Sequence, residues 1–336
     1  MQVNTFRTDG EGRLHRVIEQ CKDLRPNEAR IRVAAVSLNF RDIPFIRGRE
    51  GRPAGRNRIP CSDAVGRVEA VGKDVTRVAV GDRVSPTILP YWLDGPLHRG
   101  AFRDSFGTHD RDGVLADVIV VEESALVKVP EYLSDDEAAT LPGAAITAWH
   151  TIHELGVLGN DEVVVVETTG GVAIFAVQFA KAIGARVVVT SRSDEKLARA
   201  KEVGAWEVIN SQQTPSWDET VLKLTNGIGA QLVVDMGLKN GLPRSCRAAA
   251  YEGTVAIVGV VDGWKADFDI APVMNKNLRI RGVETGSRTM FERMNRFLEK
   301  HRIRPVIDSV FQFEQTEEAL KALAASPFGK IVIRVD

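Results

Sequence analysis

The chain has 336 residues, a formal net charge of −1, 44% hydrophobic residues and 26% charged residues. That length exceeds one ordinary core and predicts two domains. The near-neutral charge excludes the basic balance of a nucleic-acid or anionic-membrane binder. Cys21, Cys61 and Cys246 lie far apart with no CxxC and no metal-ligand spacing, which predicts reduced thiols in a cytoplasmic protein. No apolar run approaches the ~20 residues of a membrane span, and the start lacks the apolar core of a signal peptide.

From the N-terminus, β-branched runs bounded by Gly, Asp and Pro predict strands at 29–39, 66–75, 82–88 and 115–124. Few helical patterns interrupt them, so this part reads as an antiparallel, barrel-like domain. It carries two long polar loops, 45–60 and 93–113, and the first contains Arg47, Arg49, Arg52, Arg56 and Arg58. Loops of such length are commonly functional or mobile. At Ser134 the pattern changes. Ser134 with Glu137 three residues on forms a capping box, which predicts a helix running on through "AATLPGAAITAWHTIHEL". Strands are then expected at 162–167, 186–190, 207–210, 231–236, 254–260 and 278–283, alternating with helices. Several are continuous apolar runs, as in a parallel sheet covered on both faces, and the chain is assigned to the α/β class. The tail from about Gly286, ending in "GKIVIRVD", is expected to complete the first domain.

The stretch "VVVVETTGGVAIFAVQFAKAIGARVVVTSRS" (163–193) has the strand, turn, helix and strand of a nucleotide-binding unit. In such a unit the pyrophosphate sits on unpaired N–H groups at the helix N-terminus. The three glycine positions of the dinucleotide fingerprint are Thr168, Gly170 and Ala173 here. The middle one is the demanding one, because a side chain there blocks the phosphate, and it is glycine. Gly170, Gly171 and Val172 are therefore cofactor-binding candidates. Thr168 must make the tight turn with a Cβ, and Ala173 adds one methyl where helix and strand pack. After the second strand, where a carboxylate would take the ribose diol, stand Ser191 and Arg192, with Lys196 beyond. A hydroxyl and two cations suit a 2′-phosphate, which predicts NADP(H). The rival reading has Asp194 reach back to the diol and favours NAD(H).

The runs "SLNFRD" (37–42), "AVGRVEAVGKDVTRVAVGDRV" (64–84), "SDDEAATLPGAAITAW" (134–149), "TGGV", "TSRSDEKLARAKEVGAWEVIN", "TGSRTMFERMNRFL" and "FGKIVI" follow in a characteristic order. In that order and spacing the chain resembles the medium-chain dehydrogenase/reductase superfamily, in particular its zinc-free quinone-oxidoreductase-like branch. The resemblance implies a GroES-like β-barrel catalytic domain (1–130), a Rossmann doubly wound parallel-sheet domain (131–285) and a return segment (286–336). It also implies an active-site cleft between the domains and a homodimer. Where zinc-dependent members carry their catalytic ligands, this chain has Asn39, Ser62 and Gly143, none of them a useful zinc ligand. The segment 85–115 contains no cysteine for a structural zinc, so no metal is expected.

Carried over residue by residue, the resemblance sets Asn39 at the floor of the cleft, where its amide binds a substrate oxygen or a water. Asp63 takes the place of a motif glutamate, as a carboxyl held protonated by apolar walls or as a buried structural residue. Tyr91 and Trp92 are expected to line the substrate pocket, with Tyr91 a candidate proton donor. Phe40 stands where many relatives have Tyr. Thr147 is expected near the nicotinamide carboxamide, Val258 and Gly259 at the sheet edge where the cofactor lies, and Asn210 beside the adenosine. Ser287 and Arg288 are expected to contact the cofactor from the return segment. His150 and His153 read as partly buried helix residues. The arginines of 45–60 border the cleft, where they steer an anionic substrate or cover the site.

Without zinc the chain lacks the Lewis acid that stabilises an alkoxide. Hydride delivery to a polarised C=C or a quinone needs only hydrogen-bond donors for the developing enolate and a proton from water or a side chain. The expectation is an NADPH-dependent reductase of an activated double bond or quinone. A metal-free alcohol or aldehyde oxidoreductase and a non-catalytic NADPH-binding protein stay open.

Overall fold

The computed structural model describes residues 1–49, 53–102, 104–156, 159–267 and 269–335. Its contacts divide the chain into two compact units, Met1–Ile146 with Thr285–Asp336, and Thr147–Glu284. The first unit opens with a hairpin, β1 (Gln2–Thr8) and β2 (Leu14–Gln20). The sequence carries no strand signal there, because its residues are largely polar on both faces. There follow β3 (Glu28–Leu38), α1 (Asp42–Arg47), β4 (Asp63–Val71), β5 (Arg83–Pro86), β6 (Val118–Glu122), β7 (Leu126–Lys128) and α2 (Asp135–Ala139).

Ser134 caps α2 as its sequence suggests, accepting from the Glu137 N–H at 3.2 Å while Glu137 accepts from the Ser134 N–H at 2.8 Å. The helix expected beyond it is not continuous. A π-helical turn over Leu141–Ala145, the short α3 (Ile146–Trp149) and a second π-helical stretch over His150–Leu155 replace it. Pro142 has no N–H to give to a regular ladder. The domain boundary also falls later than residue 131: α2 packs on β3 and β4, with Ala138 and Ala139 fully buried.

The second unit contains β8 (Val163–Glu167), α4 (Gly171–Ala182), β9 (Arg186–Ser191), α5 (Asp194–Val203), β10 (Glu207–Asn210) and α6 (Trp217–Leu224). It continues with β11 (Ala230–Asp235), α7 (Gly241–Ala248), β12 (Ala249–Ile257), α8 (Ala271–Asn275) and β13 (Arg279–Gly282). Its six strands are all parallel, in the order β10-β9-β8-β11-β12-β13. This is the doubly wound Rossmann arrangement, whose order reverses between β8 and β11, where such sheets hold a dinucleotide. The chain then returns to the first unit through α9 (Arg288–His301), β14 (Ile307–Gln312), α10 (Thr316–Ala324) and β15 (Lys330–Arg334). β15 lies between β14 and β3, pairing antiparallel with β3, so the GroES-like sheet runs β14-β15-β3-β4-β5-β7 with β6 also on β3. Its apolar face, with Ile31, Val33, Leu38, Val84, Leu115, Ile331 and Ile333, forms the core. Among the described residues no helix is long and apolar enough to cross a membrane.

Candidate active site

In the second unit the turn after β8 has the shape of an anion seat. Thr168 has φ of 67°, the left-handed region that a β-branched residue enters only under strain. Its N–H donates to the Thr190 carbonyl at 2.8 Å, which ties the turn to β9. Gly170 follows in extended backbone as the N-cap of α4, with no side-chain cap on the helix. A Cβ built on Gly170 would meet nothing within 4 Å, so the space over the helix start is open. Gly171 and Val172 are the half-buried first residues of α4, and Ala173 is fully buried below them. Uncapped N–H groups under open space suit a pyrophosphate.

At the end of β9, Ser191 is half-buried and its hydroxyl accepts from the Ser193 N–H at 3.4 Å. Arg192 is exposed and has no hydrogen bond or ion pair among the described residues. Ser193, rather than Asp194, caps α5, accepting from the Lys196 N–H at 3.3 Å. Asp194 is taken from both sides, by the Asn210 amide at 2.6 Å and the Gln213 amide at 2.9 Å. Asn210 also accepts from the Gln212 and Gln213 N–H groups. Its place is thus the strand-end turn after β10.

Sequence reasoning passed over two carboxyls at the ends of β8 and β11. Glu167 Oε2 accepts the Met236 N–H at 2.8 Å, while Oε1 is buried with no partner among the described residues. Burial, reinforced by Asp235, pushes the Glu167 carboxyl up to about 8. Asp235 accepts the Ser245 hydroxyl at 2.7 Å and the Gly237 N–H at 2.8 Å, and burial raises it too. Both acidic residues end apolar strands, where a carboxyl reads as a surface residue. Beside them, the N–H groups of Val258 and Gly259 donate to the Asp235 carbonyl at 2.9 and 3.3 Å. Gly259 must be glycine, since a Cβ would lie 2.5 Å from the Met236 carbonyl oxygen. Thr147 is half-buried, its carbonyl accepting the Thr151 hydroxyl at 2.8 Å. His153 stacks on Trp149 with centroids 3.9 Å apart, and His150 Nδ1 lies 3.1 Å from the Glu284 carbonyl oxygen.

In the first unit, Asn39, Ser62, Asp63 and Gly143 converge. Asp63 is fully buried; its Oδ2 accepts the Gly143 N–H and its Oδ1 the Ser62 hydroxyl, both at 2.8 Å. Lys330, absent from the sequence-based candidates, donates through Nζ to Asn39 Oδ1 at 2.7 Å and to the Leu38 carbonyl at 2.6 Å. Asp42 is buried as well and accepts the Asn39 N–H at 2.7 Å; burial pushes it up to about 6. Burial raises Asp63 and lowers Lys330, and the attraction between the two opposes both shifts. Both Asp63 oxygens accept hydrogen bonds beside a lysine, the arrangement of a carboxylate rather than of a proton donor. Of the two expectations for Asp63, these contacts fit the buried structural residue.

Trp92 is buried with its indole N–H on the Gly95 carbonyl at 2.9 Å, which supports a turn. Tyr91 lines a surface pocket with Phe106, Arg111 and Glu122 that contains neither Asn39 nor Asp63. Ser287 is the N-cap of α9, accepting from the Met290 N–H at 3.2 Å. Arg288 donates to the Ser124 carbonyl at 2.9 Å and pairs with Glu292 at 3.7 Å. Both therefore have partners within the first unit. In the loop 45–60, Arg47 lies 3.9 Å from Glu317 and Arg58 donates to the His109 carbonyl at 2.9 Å; Arg52 lies outside the described residues.

The donors at Asn39, Ser62 and Gly143 do not fit a zinc ion. The Asn39 carbonyl faces a lysine amine, Ser62 is bonded to Asp63, and a Cβ on Gly143 would fall 2.6 Å from Asp63 Oδ2 and 2.9 Å from Asn39 Nδ2. The room for a third ligand is filled. Among the described residues no group of three His, Cys, Asp or Glu is arranged to hold a metal ion.

The alcohol dehydrogenase GroES-like domain family matches residues 25–131, and the zinc-binding dehydrogenase family matches residues 171–300. A zinc-type alcohol dehydrogenase-like protein of Schizosaccharomyces pombe is 38% identical over 325 residues, covering 93% of this chain and 92% of that one. A quinone oxidoreductase of Pseudomonas aeruginosa is 30% identical over 310 residues, covering 91% and 80%. A solved structure described as an NAD-dependent alcohol dehydrogenase is 32% identical, covers 100% of both chains and has a TM-score of 0.88.

Proposed function

Because the chain belongs to the medium-chain dehydrogenase/reductase superfamily, whose oxidoreductases use nicotinamide cofactors, we propose that it is an NADPH-dependent, zinc-independent reductase of an activated C=C bond or a quinone. The observation that carries the cofactor choice is at the end of β9. Arg192 is exposed and unpaired among the described residues, while Asp194, the rival ribose ligand, is engaged by Asn210 and Gln213. A free guanidinium next to a hydroxyl matches a phosphate better than a diol.

The nicotinamide would supply the hydride. The protein's part is to hold the pyrophosphate at Gly170, Gly171 and Val172, and the 2′-phosphate at Ser191, Arg192 and Lys196. The site around Asn39 holds the acceptor, and its Lys330–Asn39–Asp63 network suits an acceptor that needs no Lewis acid, with solvent supplying the proton. The name of the NAD-dependent neighbour favours a second reading, an alcohol or aldehyde oxidoreductase using NAD(H).

Calorimetric titration of wild type and Arg192→Ala with NADPH and NADH separates the two cofactor readings. Losing one charge-assisted bond should weaken NADPH by roughly tenfold or more and leave NADH unchanged. Equal binding of the two nucleotides by wild type overturns the NADPH reading. NADPH oxidation with enals, quinones and aldehydes then ranks the acceptors; turnover confined to alcohols and aldehydes selects the second reading. The proposed assembly is a homodimer. β13 is one of the two edges of the six-stranded sheet, and Tyr251, Ile270 and Met274 of the same unit are exposed. Light scattering on the wild type and on Met274→Glu tests it, a wild-type monomer being the refuting result.

A further inference from the structure

The carboxylate network of the first unit is organised by a group that sequence reasoning passed over. Lys330 opens β15 with its side chain buried, and Nζ bonds two oxygens at once, the Leu38 carbonyl at 2.6 Å and Asn39 Oδ1 at 2.7 Å. An ammonium has donors and no acceptor, so the Asn39 atom facing it has to be the carbonyl. The amide nitrogen is thereby turned the other way, where it is buried beside Gly143 and Asp63. Asp63 accepts from Ser62 and Gly143, and Asp42 accepts the Asn39 N–H. The charged or titratable groups acting on this cluster are Asp42, Asp63, Cys61, Arg41 and Lys330. Arg41 donates to the Phe106 carbonyl at 3.4 Å and is half-buried. Lys330 is thus the fully buried cation among buried acids.

We propose that Lys330 is the positioning residue of this site: its ammonium locks the Asn39 amide in one orientation and balances the buried Asp63 carboxylate. The positioning half rests on the proposed reaction, in which Asn39 lies under the acceptor; the charge coupling stands without it. Lys330 and Asp63 make no direct contact among the described residues and are linked through Asn39, so deleting the cation leaves a buried carboxylate without its nearby positive charge. Deleting both charges leaves a neutral amide beside an apolar chain.

The test is a thermal double-mutant cycle at pH 7 on wild type, Lys330→Met, Asp63→Asn and the double variant, with no substrate present. Lys330→Met should lower the midpoint by about 10 °C, and the double variant should recover roughly half of that loss or more. Losses that simply add overturn the coupling. Should Lys330→Met fail to accumulate folded, recovery of folded protein in the double variant supports the coupling, and no recovery refutes it. The second readout is kinetic. With an accepted acceptor, kcat of Lys330→Met falls about tenfold or more while the NADPH Kd holds. An unchanged kcat removes the positioning role. A wild type that turns over no acceptor counts against the proposed function, and the thermal cycle still decides whether Lys330 balances Asp63.

Discussion

Replacing Glu167 by Gln removes a carboxyl that the second unit buries at the end of β8, with one oxygen unpartnered among the described residues. Burial, with Asp235 adding to it, lifts this group from 4.5 to about 8. Between those values the folded protein keeps a proton that the unfolded chain has released. The unfolded state then binds fewer protons, so stability falls as pH rises through this window. From pH 5 to pH 7 the loss is about 2–3 kcal/mol for this one group, on the order of 10 °C in the midpoint of a unit this size. Gln has no proton to lose, and any offset from its amide is independent of pH. Asp235, also raised by burial, retains a slope of the same sign in both proteins. Calorimetric midpoints of wild type and Glu167→Gln at pH 5, 6, 7 and 8 should therefore diverge in favour of the variant. Parallel curves would mean that Glu167 titrates alike in the folded and unfolded states, and the reasoning from burial fails.

Three further substitutions separate binding from folding. Gly170→Val introduces a side chain at φ −75° with no heavy atom near its Cβ, so the midpoint should stay within about 3 °C while NADPH heats vanish. A variant that binds like wild type would move the pyrophosphate elsewhere. Thr168→Gly releases a left-handed β-branched residue; strain relief of about 1–2 kcal/mol less glycine's entropy of roughly 0.5–1 predicts a small gain in denaturant stability, and a loss contradicts it. Ser287→Ala should cost about 1 kcal/mol as a lost N-cap without altering the NADPH Kd, and weakened NADPH binding would restore the cofactor role first expected of it.

Legibility followed the range of the interactions. β10 falls at 207–210 as expected, and the Ser134–Glu137 box caps α2, because both signals are local. The turn at Gly170 was legible for the same reason, and it falls at the start of α4 as expected. The network under Asn39 was not: Lys330 bonds Leu38 and Asn39 from 292 and 291 residues away, and a lysine opening a strand reads as solvated. Glu167 misled in the same way, its partner Met236 lying 69 residues on. The β1–β2 hairpin stayed hidden because its strands lack a clean apolar face.

The place of β15 also bears on the order of biosynthesis. This strand sits inside its sheet, between β14 and β3, yet it follows the whole parallel-sheet unit along the chain. On the ribosome, residues 147–284 emerge complete while the GroES-like sheet still lacks an interior member. A premature stop just before Lys330 would therefore trim no dispensable tail: it would part β14 from β3 and remove the positive charge near Asp63 in one event.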